Sequence, residues 1–133
     1  MGKFVSNPLL ALRTKTLVVA LAAVDSAGGV LAVANPEGVE CLITEVIIQV
    51  DTKTTDGICT IDVGVAANGT TSDDTLLTGL DIGAAAGRFD NINDKGVNGG
   101  RDRPWGSTEY ITGSMASGAA AGLVGKAIIH YLF

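Results

Sequence analysis

The stretch CLITEVIIQVD at 41–51, answered by ICTIDVGV at 58–65, decides the fold. In the first, Leu42, Val46, Ile48 and Val50 share one face with Thr44, while Glu45, Gln49 and Asp51 lie on the other with Ile43 and Ile47 between them. In the second, Cys59, Ile61, Val63 and Val65 lie opposite Thr60 and Asp62. Alternation with a period of two marks a strand, because successive side chains on a pleated backbone point to opposite faces. Both segments are therefore predicted as half-buried strands with one face on a core. Thr55-Asp56-Gly57 between them supplies turn chemistry.

Working outward, further strands are predicted near 16–25, 29–34, 75–82, 107–115 and 123–132. Ser26-Ala27-Gly28-Gly29, Asn35-Pro36-Glu37-Gly38 and Ala67-Asn68-Gly69 separate them, each holding the Gly, Asn or Pro that turns favour. In the last strand Leu123, Ala127, Ile129, Tyr131 and Phe133 lie opposite Lys126 and His130. The segment 16–24, TLVVALAAV, is apolar on both faces, so it is expected either between two layers or under a partner. Its β-branched residues and missing cap argue against a helix. Many short strands with regular turns predict an all-β, antiparallel sandwich of a single domain over 15–133. Residues 1–14, broken by Asn7-Pro8, are read as an N-terminal arm.

Residues 83–106 show no strong alternation and are read as one long loop, of a length often tied to function. Thr78-Gly79 before Gly83-Ala-Ala-Ala-Gly87 is echoed by Thr112-Gly113 before Gly118-Ala-Ala-Ala-Gly122, which reads as two similar hairpin turns.

Composition bounds the function. Of 133 residues, 47% are hydrophobic, which excludes the charge-rich disordered class, and aromatics at 5% leave the core to Val, Ile, Leu and Ala. A net charge of −5 repels phosphate, so no nucleic-acid partner is expected. Lys3, Arg13 and Lys15, with no acid before Asp25, are either solvated or dock the arm on an acidic neighbour. The apolar run 16–24 follows positive charges as in a secretory signal, yet it is far short of the roughly 20 residues that span a bilayer, so no membrane partner and an uncleaved N-terminus are expected. Cys41 and Cys59 are too few for a disulfide framework and read as buried free thiols.

No constellation carries chemistry. His130, the lone histidine, sits on the polar face of a terminal strand, and no serine lies in a nucleophile elbow. Gly122-Leu-Val-Gly-Lys126 fails as a phosphate loop because Ala120 and Ala127 replace the required Gly and hydroxyl residue. Asp90-Asn91-Ile92-Asn93-Asp94-Lys95-Gly96 offers oxygens but puts Ile92 or Lys95 where a calcium loop needs a ligand. Accordingly no catalytic residue, cofactor or metal is assigned, and the chain is not expected to be an enzyme. The candidate contact residues are Phe4, Val5, Leu9, Leu10 and Leu12 on the arm, with Trp105 either covering the sandwich end or standing at an interface.

The succession NPEG at 35–38, ITEVIIQVDTKT at 43–54, IDVGVAANGT at 61–70, GLDIGAAAGRFDN at 79–91 and YITGSMASGAAAGLVGKAIIHY at 110–131 resembles small structural proteins encoded among tailed-phage head genes. Those are described as head decoration, cement or capsid-associated proteins. The resemblance covers about 15–133 and lies in strand-and-turn texture. It implies a jelly-roll-like sandwich in the virion, with the major capsid protein and further copies of itself, commonly as a trimer, as partners. A rigid, unreactive body that buries apolar area at subunit junctions suits that role. The alternative is a glycan-binding head fibre or adhesin module gripping its ligand with the 83–106 loop and Trp105.

Overall fold

The computed structural model describes residues 13–133, and among them every regular element is a strand. In chain order these are β1 (Thr14–Ala20), β2 (Leu31–Ala34), β3 (Cys41–Thr52), β4 (Thr60–Ala66), β5 (Leu77–Asp81), β6 (Gly87–Asp90), β7 (Arg103–Trp105), β8 (Tyr110–Ser117) and β9 (Val124–Leu132). They form two antiparallel sheets, β1-β9-β3-β6 with β7 also on β3, and β2-β8-β4-β5. The chain is an antiparallel ribbon: β1 pairs β9, β2 pairs β8, β3 pairs β6 and β7, and β4 pairs β5. Rolling that ribbon brings β9 onto β3 and β8 onto β4, and one core cluster fills the space between the sheets.

Alternation places the core as expected on β4 and β9, where Ile61, Val63, Ala127, Ile129 and Tyr131 are buried, with Cys59 just before β4. On β3 it needs correction. Between Ile43 and Glu45 the register against β9 shifts by one residue, so Thr44 is extra. Such a bulge lets two residues oppose one, and side chains beyond it change face. Ile43 therefore joins Val46, Ile48 and Val50 inside, while Leu42, expected in the core, is 37% exposed. The Thr44 hydroxyl settles the bulge by donating to the His130 carbonyl at 3.1 Å.

The segment 83–106 is not one loop. It contains β6 and β7, too short for alternation to register, and both pair along β3. Pro104 is tolerated because β7 is an edge strand with one partner. Between them residues 91–102 leave the sheet and return. Buried Asn91 pins both ends of this excursion: its side-chain oxygen accepts from Val46 N–H at 2.8 Å, and its amide donates to the Gly100 and Arg101 carbonyls at 2.8 and 2.7 Å. The excursion reaches the other sheet, where Thr78 N–H donates to the Lys95 carbonyl at 2.8 Å and the Asn98 side chain donates to Asp74 at 2.8 Å. One side of the sandwich is thereby walled off. Gly96, at φ +74°, sits where any Cβ would collide with the Thr78 carbonyl. The two Gly-Ala-Ala-Ala-Gly segments also differ from expectation: they are corners carrying the chain from one sheet to the other, β5 to β6 and β8 to β9, not hairpins.

The segment 16–24 is neither central nor a single strand. β1 ends at Ala20 and is the outermost strand of its sheet. Arg13 and Thr14, expected in the arm, already belong to the ladder, Arg13 N–H donating to the Phe133 carbonyl at 3.2 Å and Thr14 standing opposite Leu132. The arm residues Phe4, Val5, Leu9, Leu10 and Leu12 lie outside the described residues.

Replacing Asn91 by Ala strands a buried N–H and two carbonyls, so Asn91→Ala is expected to lower stability in denaturant titration by about 3 kcal/mol.

Candidate functional site

Three places hold the residues singled out in the sequence. The first is the end of the sandwich where β7, β9 and the Asn35–Gly38 turn meet. Trp105, a candidate interface residue, has no exposed surface there. Its ring meets Tyr131 edge-on, with centroids 5.7 Å apart, and its indole N–H donates to the Glu109 carbonyl at 3.0 Å. Enclosed by its own chain, Trp105 presents nothing to a glycan or to a neighbour. The reason is register: opposite Cys41, its side chain points between the sheets.

Around it the turn is built as a clasp. The Asn35 side chain donates to the carbonyls of Val39, Trp105 and Gly106 at 2.8, 3.0 and 3.1 Å and accepts from Glu37 N–H at 2.8 Å. The Tyr131 hydroxyl donates to Glu37 at 2.6 Å, and Lys15 reaches the same oxygen at 3.1 Å. Lys15 also lies 4.8 Å above the Phe133 ring. The Tyr131 hydrogen bond, opposed by burial and assisted by Lys15, holds the Glu37 carboxyl below its ordinary range. Burial and the Glu37 charge push the Tyr131 hydroxyl far up, so it stays protonated as the donor.

The second place is the set of reactive groups. Cys41 and Cys59 are buried free thiols, each pushed up mainly by burial, and they donate to the Val39 and Ala119 carbonyls at 3.4 and 3.2 Å. Asp90 spends its carboxylate on its own turn, accepting from the N–H groups of Ile92 and Asn93 at 2.9 and 2.7 Å. Among the described residues no three His, Cys, Asp or Glu side chains converge as a metal would need. His130 bonds the Thr16 hydroxyl at 2.8 Å on the outer face of the sheet, opposite Glu45.

The third place was legible in the sequence only in part, through the segment 16–24 expected between two layers or under a partner. Pairing aligns Val18, Ile128 and Ile47 across β1, β9 and β3 on the outer face, and Leu132 with Leu42 at the end of β9 and the start of β3. Val18 is 61% exposed, Leu42 is exposed, and the isoleucines and Leu132 are half-buried. An apolar row in register across three strands is a surface suited to another protein. Its signals in the sequence were the doubly apolar segment holding Val18 and Ile47 among the polar residues of its strand, while the alignment of the row is set by pairing between distant segments. Among the described residues no helix is long and apolar enough to cross a membrane. Comparison with protein-family models, curated proteins and solved structures found no match.

Glu37 has an ordinary value of 4.5 and a lower one when folded, so its contribution is complete above that range and is lost as pH falls through the folded value. Glu37→Gln is expected to lower stability at neutral pH and to flatten its acid decline in thermal melts. A residual slope from Asp90, also held low by its turn N–H groups, should persist. Thiol titration should find Cys41 and Cys59 unreactive in the native chain and both reactive after unfolding without reductant.

Proposed function

We propose that this chain is a structural module of a phage head, acting by protein–protein packing as a capsid decoration or cement protein, without a catalytic step or cofactor. The observation that carries the reading is the apolar row of exposed Val18 with half-buried Ile128 and Ile47 on the outer face of the sheet, with Leu42 and Leu132 beyond the polar row Thr16–His130–Glu45. Soluble monomers seldom expose contiguous apolar surface without a partner for it. We read the strand order β1-β9-β3-β6 over β2-β8-β4-β5 as a jelly roll, an architecture that recurs in viral capsid and lectin domains. Architecture alone does not assign a role. Here it agrees with the resemblance carried by the strand-and-turn segments. The major capsid protein and further copies of the chain are the partners this reading supplies, in the virion. The glycan-binding alternative is less favoured, because Trp105, the aromatic it relied on, is enclosed.

Heads of the phage whose genome carries the gene, stripped of this chain, should bind the purified protein saturably in co-sedimentation and resist heat better once bound. Val18→Asp with Ile128→Asp should weaken that binding at least tenfold. Protein that stays in the supernatant, or that is instead retained on immobilised glycans, would overturn the assignment.

A further inference from the structure

Of the two explanations for a strand apolar on both faces, burial between layers is excluded, because β1 is the outermost strand of its sheet and, among the described residues, pairs only with β9. Leu17 and Val19 pack toward the core and Val18 points outward, so from Leu17 to Ala20 the edge is apolar above and below, after a polar start at Thr14, Lys15 and Thr16. Lysine on an edge strand ordinarily discourages pairing with another strand. Lys15, the one charge on β1, is instead folded onto Glu37 and over Phe133.

We propose that residues 4–12 of a neighbouring copy add to the free edge of β1 as an extra strand, an exchange in which each copy gives one arm and accepts another. Three observations select this occupant. Residues 9–12, Leu-Leu-Ala-Leu, are apolar on both faces, matching an edge that is apolar on both sides. Pro8 is compatible, since an added strand is itself an edge and its missing N–H faces solvent. The reach suffices as well: twelve extended residues span roughly 40 Å, against roughly 23 Å for the length of β1.

The arm's own chain is a poorer host. At Arg13 the backbone is still in the ladder, with Arg13 N–H to the Phe133 carbonyl at 3.2 Å and Phe133 N–H to the Arg13 carbonyl at 3.0 Å, so the chain leaves along the strand direction. Returning onto β1 requires a reversal at 9–12, which hold no Gly, Asn, Asp or Pro. A reversal at Asn7-Pro8 lays residues 1–6 beside 9–12 and not beside β1. A reciprocal exchange of this kind closes as a two-fold pair, and a head-to-tail one closes as a ring where the rotation between copies allows it.

The test uses the isolated full-length chain, so its result is independent of whether the protein binds heads. Chains carrying Leu9→Cys, Leu10→Cys or Leu12→Cys are each mixed, under mild denaturant and then native oxidising conditions, with chains carrying Val18→Cys. At least one mixture should give a disulfide-linked species of twice the chain mass containing one chain of each kind. The native thiols are buried and serve as background. Leu9→Asp with Leu10→Asp should reduce the assembled mass to that of a single chain while leaving the unfolding midpoint of the sandwich near the parent's. The proposal is overturned if no mixture cross-links, or if a cross-link forms only within a chain carrying both cysteines. An unmodified protein that sediments as one chain, or an assembly unchanged by the two aspartates, overturns it equally.

Discussion

The antiparallel ladder between β3 and β9 holds a second-quarter segment and the last segment of the chain together, and β1, β6 and β7 are placed by pairing onto it. Through this ladder Val46, Ile48 and Ile43 stand in register with Ile129, Ala127 and Tyr131 and face the second sheet. The bulge at Thr44 makes that possible. With unbroken alternation, Ile43 and Val46 would point to opposite faces, and one buried β-branched side chain, worth about 1.5–3 kcal/mol, would be left in water. The same extra residue turns Leu42 outward beside Leu132. The step that completes the core thus helps create the apolar outer surface.

The two open sides of the sandwich are treated differently. Between β5 and the β6–β7 edge, polar side chains do the sealing: Asn91 satisfies three backbone groups at the roots of the 91–102 excursion, and Asp74, Thr78 and Asn98 join it to the second sheet. At the opposite side β1 keeps an apolar edge, and its one lysine is drawn inward by Glu37. Buried polar groups without partners are costly, so the sealed side is stable only as a complete network. On the β1 side the bridges among the described residues stand near the ends of the strand, Lys15 to Glu37 and Ala22 N–H to the Val30 carbonyl. This asymmetry sets one side as a wall and the other as a surface for association.

Aromatic groups follow the same division. Trp105, Tyr131 and Phe133 gather at one end, with Glu37, Asn35 and Lys15 around them, and tie the Asn35–Gly38 turn to β1 and to the last strand. With few aromatic residues in the chain, gathering these at one end leaves the apolar positions of the outer face to Val, Ile and Leu, between polar rows such as Thr16–His130–Glu45. Aliphatic rows on a flat sheet favour packing by shape over recognition of a polar ligand, which accords with a structural role.

The sequence by itself determined the class of fold, because period-two alternation in 58–65 and 123–132 and the Gly, Asn and Pro turns are local signals that need no partner to be read. It also determined that the cysteines and His130 lack the neighbours in sequence that known motifs require. Only the tertiary structure decided the face of Ile43 and Leu42, since a bulge exists only relative to a paired strand. Likewise β6 and β7 are strands because β3 is there to pair with them, their three or four residues being too few to show a period. Trp105 was legible as important, but its direction, inward opposite Cys41, follows from register with a segment some sixty residues away. The apolar row Val18–Ile128–Ile47 is set in the same way, since a row across a sheet is a property of hydrogen-bonded neighbours that lie far apart along the chain.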